Sequence, residues 1–327
     1  MNTLNESQYN AVMYNSGPSL IIAGAGSGKT RVLTYKVAQL LREGYIPNSI
    51  LVLTFTNKAA KEMKSRITNM VNPQLARFVA MGTFHSQFSR ILRDEHEYIG
   101  LTREFTVYDT TDSKSLIKSI VKDMGLDDKL YTANVVAGRI SSAKNRLITP
   151  DKYGEKEGVT YDVLHRIPRV KEIFKEYVDR CKRANAIDFD DMLLLIYKLF
   201  VENPDVLAKY QERFQFILID EYQDTNLAQY KIIKLLADKH HRVCVVGDDS
   251  QSIYSFRGAD ISNILQFQNN YPEAKLFKLE QNYRSTENIV KAANSLINKN
   301  SQRIPKTLFS DNGSGHLIKV YNPSTEM

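Results

Sequence analysis

Ala23-Gly24-Ala25-Gly26-Ser27-Gly28-Lys29-Thr30 is the stretch whose residue types and spacing speak most directly of chemistry. Small residues let the backbone curl so that its N–H groups and the start of the following helix face a phosphate chain. Lys29 then reaches the β- and γ-phosphates, and the Thr30 hydroxyl binds Mg²⁺. Ala23 stands where the pattern usually begins with glycine. A nucleotide hydrolase also needs a second metal-binding carboxylate and a base at the end of a neighbouring strand. Phe216-Ile217-Leu218-Ile219-Asp220-Glu221 supplies both in order. Asp220 is placed to hold Mg²⁺ through its water shell, and Glu221 to orient and deprotonate the attacking water.

Such groups need a rigid frame. Leu20-Ile21-Ile22, Ile50–Leu53, Phe216–Ile219 and Val243–Val246 are nearly continuous apolar runs, the mark of strands buried on both faces of a parallel sheet. Phe78–Met81 and Leu276–Leu279 are weaker candidates for the same sheet. The expected class is α/β, doubly wound. Between about Leu101 and Ile187 the strand signal gives way to helices, so a helical insertion is expected there. Its clearest helix places Val170, Ile173, Phe174, Tyr177, Val178 and Cys181 on one face. The Lys and Arg of the opposite face suit a solvated surface or a nucleic-acid contact equally. After about Lys278 a new unit begins, with a helix start at Ser285–Asn288, a turn at Asp311–Gly315 and one strand expected at Leu317–Tyr321.

At 327 residues with 43% hydrophobic content, the chain is long enough for about two packed domains and is not a disordered one. Its net charge of +7 suits an anionic partner. Cys181 and Cys244 lie far apart with no Cys/His ligand pattern around them, so neither a disulfide scaffold nor a zinc site is expected. No signal-peptide pattern opens the chain and no apolar run reaches bilayer length, so a soluble cytoplasmic protein with no membrane partner is expected.

Seven segments carry a family likeness: Ala23–Arg31, Thr54–Ala60, Gly82–His85, Ile187–Asp191, Asp220–Thr225, Gly247–Gly258 and Gln281–Thr286. In content and order they closely resemble the motifs of UvrD/Rep/PcrA-type superfamily 1 DNA helicases. The resemblance implies a RecA-like ATP-binding domain at 1–100 and 188–277, interrupted by an all-helical insertion at 101–187. The start of a second RecA-like domain follows at 278–327. It implies ATP and Mg²⁺ as cofactors, with Ala23–Thr30 cradling the phosphates, Gln8 reading the adenine edge, and Arg31 and Tyr283 enclosing the ring. It further implies that Gln251 senses the γ-phosphate, that Arg284 stabilises the transferring phosphoryl group, and that Gln223 and Asp224 connect the two sites.

The partner it implies is single-stranded DNA and its junctions with duplex, travelled 3′ to 5′ in repair or replication. A single strand needs stacking aromatics interleaved with donors to its backbone. Phe55 with Thr56 and Asn57, Thr83 with His85, and Tyr254 with Phe256 and Arg257 fit that recipe and align with the DNA-contacting motifs. Phe256 stands where the family usually carries Trp. The family's later motifs, a second arginine among them, have no counterpart here, so the sequence reads as the N-terminal portion of a longer helicase. Two other readings stay open: a nucleotide-gated single-strand-binding module without unwinding, and, less compatible with the aromatic motifs, a small-molecule kinase.

Overall fold

The computed structural model describes residues 3–154, 162–301 and 303–321, and the Arg257 side chain lies outside the described part. Six strands, β1 (Ser19–Ala23), β2 (Ile50–Thr54), β3 (Ala80–Thr83), β6 (Phe216–Ile219), β7 (Val243–Gly247) and β8 (Lys275–Leu279), form one sheet in the order β3-β2-β6-β7-β1-β8. Every neighbouring pair runs parallel. Leu20, Ile22, Leu51, Leu53, Ile217, Ile219, Val243 and Val245 face one core, and their strand neighbours Ile21, Ile50, Val52, Phe216, Leu218, Cys244 and Val246 face another. Helices cover both sides, which is why these strands read as unbroken apolar runs.

Helices of eight or more residues are labelled in chain order: α1 (Glu6–Met13), α2 (Lys29–Arg42), α3 (Asn57–Met70), α4 (Phe84–Asp94), α5 (Thr110–Asp123), α6 (Ala133–Asn145), α7 (Val170–Arg183), α8 (Phe189–Glu202), α9 (Pro204–Arg213), α10 (Leu227–Ala237) and α11 (Glu287–Ile297). Because the sheet is parallel, all six strands end at the same edge. The phosphate-loop segment, Thr54–Ala60, Asp220–Thr225, Gly247–Gly258 and Gln281–Thr286 leave from or just beyond those ends. That edge is where open α/β sheets bind ligands.

The insertion has its own core, with Ile117, Ile120, Val136, Ile140, Val170, Ile173, Phe174 and Tyr177 buried between α5, α6 and α7. It is helical but not wholly so. β4 (Thr106–Tyr108) and β5 (Ala186–Asp188) pair in parallel where the chain enters and leaves. The neck is pinned by the fully buried Lys144, whose ammonium lies 2.6 Å from Asp188 and 2.8 Å from Asp191. Burial opposes that charge, yet the two carboxylates outweigh it and hold the lysine above its ordinary pKa. On α7, part of the basic face is occupied within the fold, since Arg180 pairs with Glu176 and Asp123.

Two expected strands differ. The edge strand begins at Ala80, and Phe78 is exposed on the preceding turn with Arg77 stacked on its ring. Leu317–Tyr321 is irregular and exposed, because no neighbouring strand among the described residues offers it a ladder. Cys181 and Cys244 are buried free thiols. No helix of the described residues is long and apolar enough to cross a membrane.

Candidate nucleotide cleft and nucleic-acid groove

Gly24, Ala25, Gly26, Gly28, Lys29, Thr30, Arg31, Glu221, Gln251, Tyr283 and Arg284 come together around a cleft of about 490 Å³ at the C-terminal edge of the sheet, joined by Glu62 and Arg66 from α3. The loop reaches this shape through glycine. Gly28 sits at φ +89°, where a Cβ would also meet the Gln8 amide at 2.8 Å. Gly26, at φ +72°, lies so close under Arg284 that a Cβ would stand 2.7 Å from the arginine's own Cβ. The 281–286 segment is strapped over the loop by Asn282, which donates from Nδ2 to the Ala25 carbonyl at 2.7 Å, and by the Tyr283 N–H, which donates to the Gly26 carbonyl at 3.0 Å.

Lys29 Nζ lies 3.0 Å from Glu221 Oε2. Glu221 is aimed there by a left-handed backbone turn, φ 49° and ψ 46°, at the end of β6. That conformation is costly for a residue with a Cβ and is typical of sites that must direct one side chain. Asp220, beside it, is buried. Burial, followed by repulsion from Glu221, lifts its carboxyl to about 7 against the pull of Lys29. A buried carboxylate beside Glu221, within electrostatic reach of Lys29, is the kind of oxygen donor a divalent cation takes.

Gln8 lies against the phosphate loop. Its amide is fully buried and used twice, accepting from the Asn5 N–H at 3.2 Å and donating to the Ser27 carbonyl at 2.9 Å. It therefore braces the phosphate loop against α1 as the third residue of a capping box. Arg31 and Tyr283 both line the cleft, but the guanidinium lies over the Tyr35 ring at 5.9 Å and the Tyr283 hydroxyl bonds Asn5 and Gln281. Ala23 and Ser27 support the loop from beneath, being buried.

A second hollow, also about 490 Å³, gathers Phe55, Thr56, His85, Tyr254 and Phe256 with Asn145, Asp190, Asp224, Asn226 and Gln229. Tyr254 and Phe256 meet as tilted rings with centroids 5.9 Å apart, and Phe256 is 76% exposed. Burial lowers the His85 pKa against the pull of Asp190. Asn57 is exposed at the first turn of α3 and Thr83 caps α4 by accepting from the Ser86 N–H; neither lines the hollow. The Arg257 side chain is outside the described residues.

The UvrD/REP helicase N-terminal domain model matches residues 4–272, and the UvrD-like helicase C-terminal domain model matches 277–327. The chain belongs to the UvrD/REP helicase family. Relatives include proteins named ATP-dependent DNA helicase PcrA from Leuconostoc citreum, 45% identical over 99% of this chain and 43% of that protein. Those from Staphylococcus epidermidis, at 48% over 99% and 44%, and Staphylococcus aureus, at 48% over 100% and 44%, are similar. The chain thus spans less than half the length of the curated relatives it matches.

Three residues of this UvrD/REP helicase chain matter more than their sequence signals suggest. Phe189 is 53% exposed and meets the ring of the groove residue His85 edge-on at 5.5 Å, while itself lining a neighbouring hollow with Tyr108, Asn134 and Tyr177. Its one signal is an aromatic residue at a helix start among Asp188, Asp190 and Asp191. Asn282 is the strap described above. Lys306 is buried against Asp248 and Asp249, a contact between distant segments that no local pattern announces.

Proposed function

We propose that this chain provides the ATP-hydrolysing and strand-gripping part of an ATP-dependent DNA helicase. It moves along single-stranded DNA 3′ to 5′ and opens duplex at single/double-strand junctions, in cytoplasmic repair or replication. The observation that carries this reading is that two segments each serve both hollows. Asp220–Thr225 sends Glu221 into the nucleotide cleft and Asp224 into the groove, and Gly247–Gly258 sends Gln251 into the first and Tyr254 and Phe256 into the second. The proposed division is 1–100 with 188–277, 101–187, and 278–327; the separate core of the insertion supports its middle part, while β8, Lys275–Leu279, belongs wholly to the first sheet.

In this reading the loop N–H groups and the α2 terminus hold the phosphates. Thr30 and Asp220 would hold Mg²⁺, which would supply neutralisation of the phosphate charge. When Lys29 turns from Glu221 to a phosphate oxygen, the Glu221 carboxylate loses its cation and is free to take a proton from the attacking water. Arg284 and Gln251 face the charge that develops on the transferring group. In the groove, bases stack on Phe55, Tyr254 and Phe256, each stack contributing about 1–3 kcal/mol.

Phosphate release from Mg²⁺-ATP, measured with and without oligo-dT, tests the proposal. Turnover stimulated by the single strand and abolished by Glu221→Gln is the expected result. Turnover untouched by Glu221→Gln contradicts it.

A further inference from the structure

Lys306 lies beyond every segment that the cleft chemistry uses, yet its ammonium is buried inside one of them. It stands 2.9 Å from Asp248 Oδ1, 2.5 Å from Asp249 Oδ1 and 3.2 Å from Ser250 Oγ. Its side chain and both carboxylates are almost completely withdrawn from water. The second oxygen of Asp249 accepts from the Ile304 N–H at 3.1 Å, so the 304–306 segment is held by side chain and backbone together.

The second oxygen of Asp248 accepts from Gln251 Nε2 at 2.5 Å. The Asp248 N–H donates to Gln223 Oε1 at 3.0 Å, and Gln223 Nε2 donates to Glu221 Oε2 at 3.0 Å. Asp248 is therefore the hub from which both Gln251 and the Gln223–Glu221 link are oriented, and Lys306 is the cation paired with this hub out of water. A surface ion pair needs no such burial. Here a lysine from the segment that follows the strap reaches two carboxylates that have no other cation within 4 Å among the described residues.

We propose that Lys306 is a positioning residue for nucleotide turnover. By fixing Asp248 it aims the Gln251 amide into the cleft, and it ties the position of the 304–306 segment to the groups that face the γ-phosphate. The proposal rests on the hydrolytic reading given above. It assigns Lys306 no contact with nucleotide, so its effect falls on turnover rather than on binding.

The test compares Lys306→Met, Lys306→Arg and Lys306→Met paired with Asp249→Asn in the protein, with Glu221→Gln alongside. Lys306→Met is expected to lower kcat of single-strand-stimulated ATP hydrolysis about tenfold or more, with KM for ATP and the affinity for a fluorescent ADP changed less than about threefold. Lys306→Arg recovers most of that loss. The paired variant removes one uncompensated carboxylate, so it regains thermal stability while kcat stays low. The proposal is overturned by a Lys306→Met protein that turns over like wild type, or by a paired variant that regains wild-type kcat along with its stability. If Glu221→Gln is inactive while Lys306→Met is unaffected, the Lys306 proposal alone fails. If Glu221→Gln hydrolyses ATP like wild type, the hydrolytic reading falls and takes this proposal with it.

Discussion

Replacing Gln223 with Met would keep the side-chain length and remove its hydrogen bonds to the Asp248 N–H and to Glu221, together with a longer one to Asp224. Gln223 is buried, and its amide joins the Asp248 N–H to the Glu221 carboxylate at 3.0 Å on each side. Leaving the Asp248 N–H buried without a partner costs ~1–3 kcal/mol. The bond to Glu221 adds about 1 kcal/mol, because that carboxylate keeps Lys29 and is partly open to solvent. The sum is ~2–4 kcal/mol, and if it falls on the geometry that reacts, single-strand-stimulated turnover drops by about 30-fold to several hundredfold. Gln223 does not line the nucleotide cleft, so affinity for a fluorescent ADP shifts less than about threefold. Phosphate release with saturating oligo-dT, alongside ADP titration, reads both quantities. Turnover within about threefold of wild type in a folded Gln223→Met protein, or ADP affinity falling as far as turnover, refutes the reasoning.

Phe256→Ala removes the most exposed ring of the groove and is expected to weaken oligo-dT binding by about 1–3 kcal/mol, five- to 150-fold, while ADP binding is unchanged; fluorescence anisotropy measures it, and an affinity within about twofold of wild type removes the ring from the track. Burial, then repulsion from Glu221, lift the Asp224 carboxyl to about 6 from its ordinary 3.8. From about pH 4 to 6 the folded chain keeps a proton that the unfolded chain has released, so this group weakens the fold as pH rises through that window. Asp224→Asn is therefore expected to raise the thermal midpoint at pH 8 and to match wild type near pH 4; an equal or lower midpoint at pH 8 contradicts this.

The chemistry-bearing loops were legible because each is a contiguous run of residues leaving a strand end. Apolar runs such as Ile50–Leu53 and Val243–Val246 located the strands, and a parallel sheet necessarily brings their ends to one edge. Where the sequence misled, a local signal met a non-local demand. The contact of the Gln8 amide with the Ser27 carbonyl, beside its capping box in α1, joins segments that no local pattern connects. Leu317–Tyr321 has the composition of a strand and finds no ladder among the described residues. The β4–β5 pair joins three-residue segments some 80 positions apart, too short for a periodicity signal. Lys306 acts through contacts with Asp248, Asp249 and Ser250 far from it in sequence, and Asn282, though inside the Gln281–Thr286 motif, through a reach to the distant Ala25 carbonyl; neither partner is announced by spacing or composition.

The central claim is that one sheet edge links nucleotide to single-stranded DNA through Glu221, Gln223, Asp248 and Gln251. The measurement that tests it most directly is the affinity for oligo-dT with ADP, with a non-hydrolysable ATP analogue and with neither, paired with nucleotide affinity with and without oligo-dT. The account predicts that the analogue changes oligo-dT affinity by about 5- to 150-fold, and that oligo-dT changes analogue affinity by the same factor, as linkage requires. Oligo-dT affinity that is identical in all three nucleotide states contradicts it.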